Sequence, residues 1–518
     1  MVSGNDTYNA AVDLIDRHVI DGRGDKTAII DDTGSYTYAD LSRRMNRIAN
    51  LLGGLGIERE TRIAIIMTDS IDWVAVFWGA IKAGVVPVAL NTLLTPPLYQ
   101  TILNDCRARA LFVSGALLPA VEPILKTCPY LRNVVVAGDD AGDHLSLGKL
   151  AANSDDHFDA VPTLADEVAF WLYSSGSTGQ PKGVMHRHSS PAYTARTYGA
   201  RVLGIREDDT VFSAAKLFFA YGLGNSMSFP FSVGATTVLM AERPTPQSVM
   251  MRLKQHSPTI FYAVPTLYAA MLANPECTPA NGSERLRLCV SAGEALPGDI
   301  LRRWRERFGV EILDGVGSTE LLHIFLSNRP GATFEDCSGE AVPGYELRLV
   351  DEHGNDVGPG EIGELIVDGG SAANGYWNLR DKTRATFQGR WTWTGDKYTR
   401  DEHGRYHICG RSDDMFKVSG IWVSPFEVEA ALISHESVVE AAVIPRADSD
   451  GLLKPKAFVV FRDHVTPDDR LFTELKEHVK SRIGAWKYPR WIEPRAELPK
   501  TATGKIQRFK LAEEDRAA

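Results

Sequence analysis

Apolar side chains return every three or four residues at Leu41, Met45, Ile48, Ala49 and Leu52, a spacing that gathers them on one helical face, and Gly53-Gly54 is expected to end the run. Arg62 to Met67 then reads as a strand. Behind it come an apolar helix from Trp73 to Ala83, a stop at Gly84, a strand from Val85 to Leu90, a helix around Leu98 to Leu103 and a strand from Leu111 to Ser114. The alternation resumes at Ile260 to Val264 and Leu286 to Ser291. Strands separated by helices predict an α/β fold in which mainly parallel sheets are flanked by helices. Past about residue 340 the runs shorten and glycine-rich turns appear, at Val357 to Gly363 and Asp401 to Gly404, which predicts a small antiparallel or barrel-like part. From Pro425 helix and strand mix again, as a small α+β C-terminal domain. The joint is expected at Gly410-Arg411-Ser412-Asp413-Asp414, where glycine and paired charges mark an exposed boundary, dividing the chain into 1–412 and 413–518.

One stretch, Leu217 to Ala241, carries no charge and is long enough to span a bilayer. Gly222, Gly224, Asn225, Pro230 and Gly234 interrupt it, so a strand, a loop and a helix buried in a large core are expected instead. At 518 residues the chain has room for roughly three units of ~150 residues. Its net charge of -10 argues against a nucleic-acid partner, which needs a basic face, so any small anion must be met by local positive groups. Six scattered cysteines form no C-x-x-C pair, and the polar Met-Val-Ser-Gly-Asn-Asp start lacks signal-peptide character. A cytoplasmic protein, monomeric or homodimeric, without membrane attachment is expected.

The stretch from Tyr173 to Gly183 carries the chemistry. Ser174, Ser175, Gly176, Ser177, Thr178 and Gly179 are small, turn easily and offer hydroxyl and backbone donors, and Lys182 adds a fixed positive charge. The run follows an apolar strand, Val168 to Tyr173. Its spacing is not that of the common P-loop, because Gln180 and Pro181 follow Gly179. Glycine and serine alone also make flexible surface loops; Lys182 and the Met-His-Arg-His segment behind it turn the reading toward phosphate.

Seven segments in order resemble the adenylate-forming superfamily of acyl-CoA synthetases, adenylation domains and luciferases, over essentially the whole chain: Tyr173 to Gly183, Ser291 to Pro297, Gly315 to Glu320, Thr394 to Lys397, Gly410 to Asp414, Lys417 to Gly420 and Pro499 to Lys505. Within it, Ser213 to Asn225 and Leu322 to Asn328 look like the benzoate and 4-hydroxybenzoate CoA ligases. The resemblance implies an enzyme that joins an aryl carboxylate to ATP with release of pyrophosphate and then forms the CoA thioester, using ATP, Mg²⁺ and coenzyme A.

By that resemblance, Ser174 to Gly179 and Lys182 hold the β- and γ-phosphates, Thr319 bonds the α-phosphate and Glu320 holds Mg²⁺. Asp396 accepts the ribose hydroxyls with Arg411 near the same sugar, and Gly293, Glu294, Ala295, Asp314, Gly315, Val316, Gly317 and Ser318 line the nucleotide. Many relatives place an aromatic residue where Val316 stands, so the adenine here meets an aliphatic wall. Lys505 bridges carboxylate and α-phosphate in the first step, Asp413 matches the hinge of a mobile C-terminal lid, and Gly420 faces the pantetheine channel. Phe219, Ala220, Tyr221, His323 and Ile324 are the aryl-pocket candidates, with Phe219 standing where many relatives carry His. Either Tyr221 or His323 is placed to bond a ring hydroxyl, while His323 equally suits a core histidine bonded to a carbonyl. Two other readings stay open: an adenylation enzyme that loads a carrier protein, and a non-catalytic nucleotide sensor.

Overall fold

The computed structural model describes residues 7–138, 140–175, 180–412, 414–418, 421–449, 451–463, 465–484, 487–500 and 506–517. The predicted helix spans Tyr38–Gly54, started by a reciprocal cap between Thr37 and Asp40. It runs through the glycine pair and closes at Leu55, because its Leu41, Met45, Ile48 and Leu52 face is buried against the helix Ile71–Lys82. The two helices meet at Gly79, where a Cβ would lie 2.7 Å from Ile48 Cβ, so only glycine permits the contact.

Two large sheets carry the rest of the first part. Seven strands run in the order Leu145–Ser146, Asn133–Ala137, Ala110–Ser114, Arg62–Ile66, Val86–Ala89, Val168–Ser175 and Pro181–Arg187, all parallel except the last pair. Val, Ile and Ala on both faces of the central strands explain their near-continuous burial. Nine strands form the second sheet, with Thr210–Ser213, Ile260–Ala263, Leu288–Ala292 and Ile312–Gly317 parallel at its centre and Ile324–Ser327 antiparallel beside them. Parallel strands end on the same side, so residues following Ala292 and Gly317 collect at one edge.

The uncharged stretch departs from its expected order. Short helical turns, Ala220–Leu223, Gly224–Ser228 and Phe229–Val233, come first, Gly234 ends them at φ +80°, and the strand Thr236–Val238 follows. Uniform apolarity gives no period from which to order helix and strand. No helix among the described residues is long and apolar enough to cross a membrane.

Beyond residue 340 the expected antiparallel part is a five-stranded sheet of Glu346–Val350, Gly363–Asp368, Phe387–Gln388, Trp391–Arg400 and Tyr406–Arg411. The predicted joint begins inside its last strand, since Gly410 and Arg411 still pair with Trp391–Arg400. From Pro425 onward a hairpin, Val438–Ala447 with Leu453–Phe461, adds Trp491–Pro494 in parallel and is covered by the helices Pro425–Ile433 and Asp469–Ile483. Val428, Leu432, Val443, Val459, Leu475 and Val479 give it a core of its own.

Candidate active site

Strand pairing sets the first half of the site. Ser174 lies opposite Lys182 and Ser175 opposite Pro181, so these residues flank the predicted phosphate loop, whose Gly176, Ser177, Thr178 and Gly179 lie outside the described residues. The Ser174 hydroxyl is buried without a hydrogen-bond partner among the described residues. Leaving such a group unmatched costs about 1–3 kcal/mol, so it is a donor that a ligand oxygen would satisfy.

Lys182, Glu320 and Tyr376 converge. The ammonium lies 4.0 Å from Glu320 Oε1 and 4.8 Å from the centre of the Tyr376 ring, and the Tyr376 hydroxyl donates to that same oxygen at 2.7 Å. Backbone bonds hold the three in place: Val184 bridges Tyr376, Trp377 N–H donates to Gly183 at 2.8 Å, and Ala373 N–H donates to the Glu320 carbonyl at 2.9 Å. Burial, and then the Glu320 charge, push the Tyr376 phenol well above its ordinary range, so it stays a donor. Sequence reasoning missed Tyr376. An aromatic pair after Asn374-Gly375 was its only signal, and an aromatic pair carries no chemistry by itself.

No three His, Cys, Asp or Glu side chains converge as a metal-ligand set among the described residues. A divalent cation held at Glu320 would have one protein carboxylate and would need its other donors from phosphate and water, a donor set that would suit Mg²⁺.

The second sheet supplies the next wall. Gly293, at φ +100°, leaves the strand Leu288–Ala292, and Glu294 and Ala295 follow in the turn before the helix Gly298–Phe308. Asp314 lies opposite Ser291, and Gly315 opposite Ala292. Burial drives the Asp314 carboxyl up to about 8, so it is mainly protonated at neutral pH. Val316 pairs with Leu326 and Gly317 with Ile324, where a Cβ on Gly317 would lie 2.6 Å from the His323 carbonyl oxygen. Ser318 Oγ accepts from the Leu321 N–H at 3.2 Å and turns the chain, with the Thr319 carbonyl accepting from Leu322 at 3.1 Å. In the small sheet Asp396 lies opposite Arg411, whose guanidinium donates to Asp396 Oδ1 at 2.7 Å and to the Thr394 carbonyl at 3.0 Å. Asp413, Gly420 and Lys505 lie outside the described residues.

Both polar groups of the predicted aryl pocket are engaged. Tyr221 directs its hydroxyl to the carbonyls of Val290 at 3.1 Å and Ala263 at 3.3 Å. His323 is buried, with Nε2 3.2 Å from both the Tyr221 carbonyl and Asn225 Oδ1 while Nδ1 has no partner among the described residues. Burial lowers its pKa to about 3, so the ring is neutral. Phe219 and Ala220 open the first helical turn, and Ile324 fills the space that Gly315 leaves.

Behind Phe219 lies an ion pair of Lys216, within the Ser213 to Asn225 segment, and Asp69, neither of which the sequence assigned a role. Lys216 places its ammonium 4.0 Å from Asp69 Oδ2 and donates to the carbonyls of Met240, Ala241 and Glu242. A Cβ on Gly222 would lie 2.1 Å from the Lys216 carbonyl oxygen, so the pocket turn sits directly on this anchor.

Family models for the AMP-binding enzyme and for the AMP-binding enzyme C-terminal domain match residues 16–377 and 427–505. Over 506 residues the chain is 57% identical to a benzoate–CoA ligase of Thauera aromatica, covering 97% of this chain and 95% of that one. It is 55% identical over 508 residues to a 4-hydroxybenzoate–CoA/benzoate–CoA ligase of Rhodopseudomonas palustris, covering 98% and 94%. A crystal structure of a benzoate CoA ligase from Burkholderia xenovorans LB400 superposes with a TM-score of 0.90 at 49% identity, over 97% of this chain and 99% of that one.

Proposed function

The chain belongs to the AMP-binding enzyme family, and on that premise we propose that it is an ATP-dependent aryl-CoA ligase acting on benzoate, 4-hydroxybenzoate or a close ring-substituted benzoate. A free carboxylate has no leaving group that a thiol can displace. Its oxygen therefore attacks the α-phosphorus of ATP, the bond to the β-phosphate oxygen breaks, and pyrophosphate leaves; the CoA thiolate then attacks the aryl carbonyl and AMP departs. Carboxylate and triphosphate are both anions, so the protein's task is neutralisation and alignment.

The convergence of Lys182 and Glu320 beside the predicted phosphate loop is the observation that carries this reading. Lys182, with Ser174, Ser175, Ser177 and Thr178, holds the β- and γ-phosphates; Thr319 bonds the α-phosphate; Glu320 holds Mg²⁺. When bound, the ion neutralises charge on the phosphate oxygens. Asp396, kept aligned by Arg411, accepts the ribose hydroxyls, and Gly293 to Ala295 with Asp314 to Ser318 line the adenine. Phe219, Ala220, Tyr221, His323 and Ile324 form the aryl slot. Lys505 bridges carboxylate and α-phosphate from a mobile domain, 413–518, that turns at Asp413 to admit the pantetheine arm past Gly420.

The net charge of -10 argues against a nucleic-acid partner, and six free cysteines suit a reducing, cytoplasmic setting. Benzoate-dependent exchange of labelled pyrophosphate into ATP tests the first step, and benzoyl-CoA formation the second. No exchange with any of a panel of aryl acids would sink the reading. Exchange without CoA consumption would make the protein a carrier-loading adenylation enzyme.

A further inference from the structure

Tyr376 faces two ways. Its hydroxyl and ring hold Glu320 and Lys182, and it also walls a cavity of about 440 Å³ lined with Asn378, Leu379, Arg380, Thr383 and Arg384. That size lies within the roughly 300–1,000 Å³ of small-molecule sites. The cavity is tied to the tyrosine, since Tyr376 N–H donates to Thr383 Oγ1 at 3.0 Å and its hydroxyl reaches Thr386 Oγ1 at 3.5 Å.

Arg380 and Arg384 stand one helical turn apart on the helix Arg380–Thr386, so they share a face. Both are exposed, and neither has a carboxylate partner among the described residues. Some exposed arginines of this chain do, Arg302 and Arg303 holding Asp299 and Arg390 holding Asp368, while others such as Arg305 and Arg400 do not; what sets Arg380 and Arg384 apart is that both line the cavity against Tyr376. In a protein of net charge -10, two unneutralised guanidinium groups beside the candidate phosphate site are a local positive field. Guanidinium forks match phosphate oxygens two at a time.

We propose that the cavity between Tyr376 and the Arg380/Arg384 face is a subsite for pyrophosphate, taking it from the Lys182–Glu320 mouth as it leaves. This rests on the ligase reading. A polyanion held by Lys182 and a metal-bearing carboxylate departs slowly into water, and an adjacent cationic surface lets those contacts be exchanged a few at a time. In the reverse direction the same surface collects pyrophosphate from solution.

The test is an R380A/R384A double variant, with R380K/R384K as the conservative control. The double alanine variant raises the inhibition constant of added pyrophosphate in the forward reaction, and its KM in ATP synthesis from benzoyl-AMP, by roughly tenfold, the effect of one or two lost charge-assisted contacts. KM for ATP and for CoA stay within about twofold, and the lysine control keeps most of the wild-type pyrophosphate affinity. Unchanged pyrophosphate constants overturn the proposal. So does a rise confined to CoA, which would give the arginines to the CoA phosphates, or a parallel rise for ATP, which would give them to the bound triphosphate. Calorimetric titration of each protein with inorganic pyrophosphate is independent of turnover: binding lost in the double variant supports the subsite even if no aryl acid is activated, and equal binding refutes it.

Discussion

At the scale of single residues, Tyr376 serves two charges of opposite sign, giving its hydroxyl to Glu320 and its ring face to Lys182. It thereby fixes how these two side chains sit, 4.0 Å apart, beside the predicted phosphate loop. Tyr376→Phe is expected to lower benzoate-dependent pyrophosphate exchange by roughly ten- to a hundredfold, as loss of a hydrogen bond to a charged group costs about 1.5–3 kcal/mol. Tyr376→Leu, which also removes the ring, costs more; wild-type exchange in the Phe variant would show that the hydroxyl positions nothing. Asp314 makes a pH-dependent prediction. Its folded-state carboxyl is raised to about 8, so the folded protein holds a proton that the unfolded chain releases near the usual carboxylate value, and stability falls as pH rises between the two. Asp314→Asn cannot ionise. Its thermal midpoint relative to wild type, measured without nucleotide, is therefore expected to climb from pH 5 to pH 9; a constant difference would refute the buried carboxyl. Glu320 and Lys182 were readable in the sequence because their neighbours form compact motifs. Tyr376 was not, because it joins Glu320 across 56 residues.

At the scale of elements, the turn that carries Phe219 and Tyr221 depends on the Lys216 anchor. Lys216 gathers the carbonyls of Met240, Ala241 and Glu242, and Asp69 accepts from the Leu217 N–H at 3.3 Å. Burial lifts the Asp69 carboxyl to about 6 despite the lysine beside it. Lys216→Met leaves that carboxylate alone and is expected to cost about 3–5 kcal/mol near neutral pH, the range for breaking a buried pair. Lys216 holds the Asp69 carboxyl down, so without it Asp69 takes up its proton at higher pH than in the wild type; the deficit therefore shrinks as pH falls from 8 toward 6, and the double variant Lys216→Met/Asp69→Asn recovers part of it. Urea denaturation at pH 5 and pH 8 checks this; an equal loss at both would assign it to lost packing. Amphipathic elements were legible, as in Tyr38–Gly54, whose apolar period matches its buried face. The uncharged stretch from Leu217 to Ala241 was not, because its order was set by contacts to Asp69 and His323 rather than by any local period.

At the scale of the molecule, the reaction asks one site to serve two steps in turn. Arg508, three residues after Lys505, clasps Glu429 with two bonds of 2.9 and 2.6 Å and reaches Asp414 at 3.4 Å, so the end of the chain is fixed to the helix Pro425–Ile433 and to the neighbour of Asp413. If Lys505 serves only adenylation, Lys505→Ala abolishes aryl-AMP formation and spares thioester formation from supplied aryl-AMP. Asp413→Pro, which restricts φ, slows the thioester step more than the first. Rapid-quench assays of each half-reaction separate these outcomes, and equal loss in both steps would remove the division of labour. The sequence by itself determined the alternation of strands and helices, the antiparallel part beyond residue 340, the family and the candidate residues for phosphate, because each is written in a local period or a short run of side chains. Only the tertiary structure decided that Tyr376 contacts both Glu320 and Lys182, that Asp69 and Lys216 anchor the turn of Phe219 and Tyr221, and that burial raises the Asp314 carboxyl. Those are properties of neighbours brought together from distant parts of the chain and of the water they exclude, and neither is recorded in the order of residues.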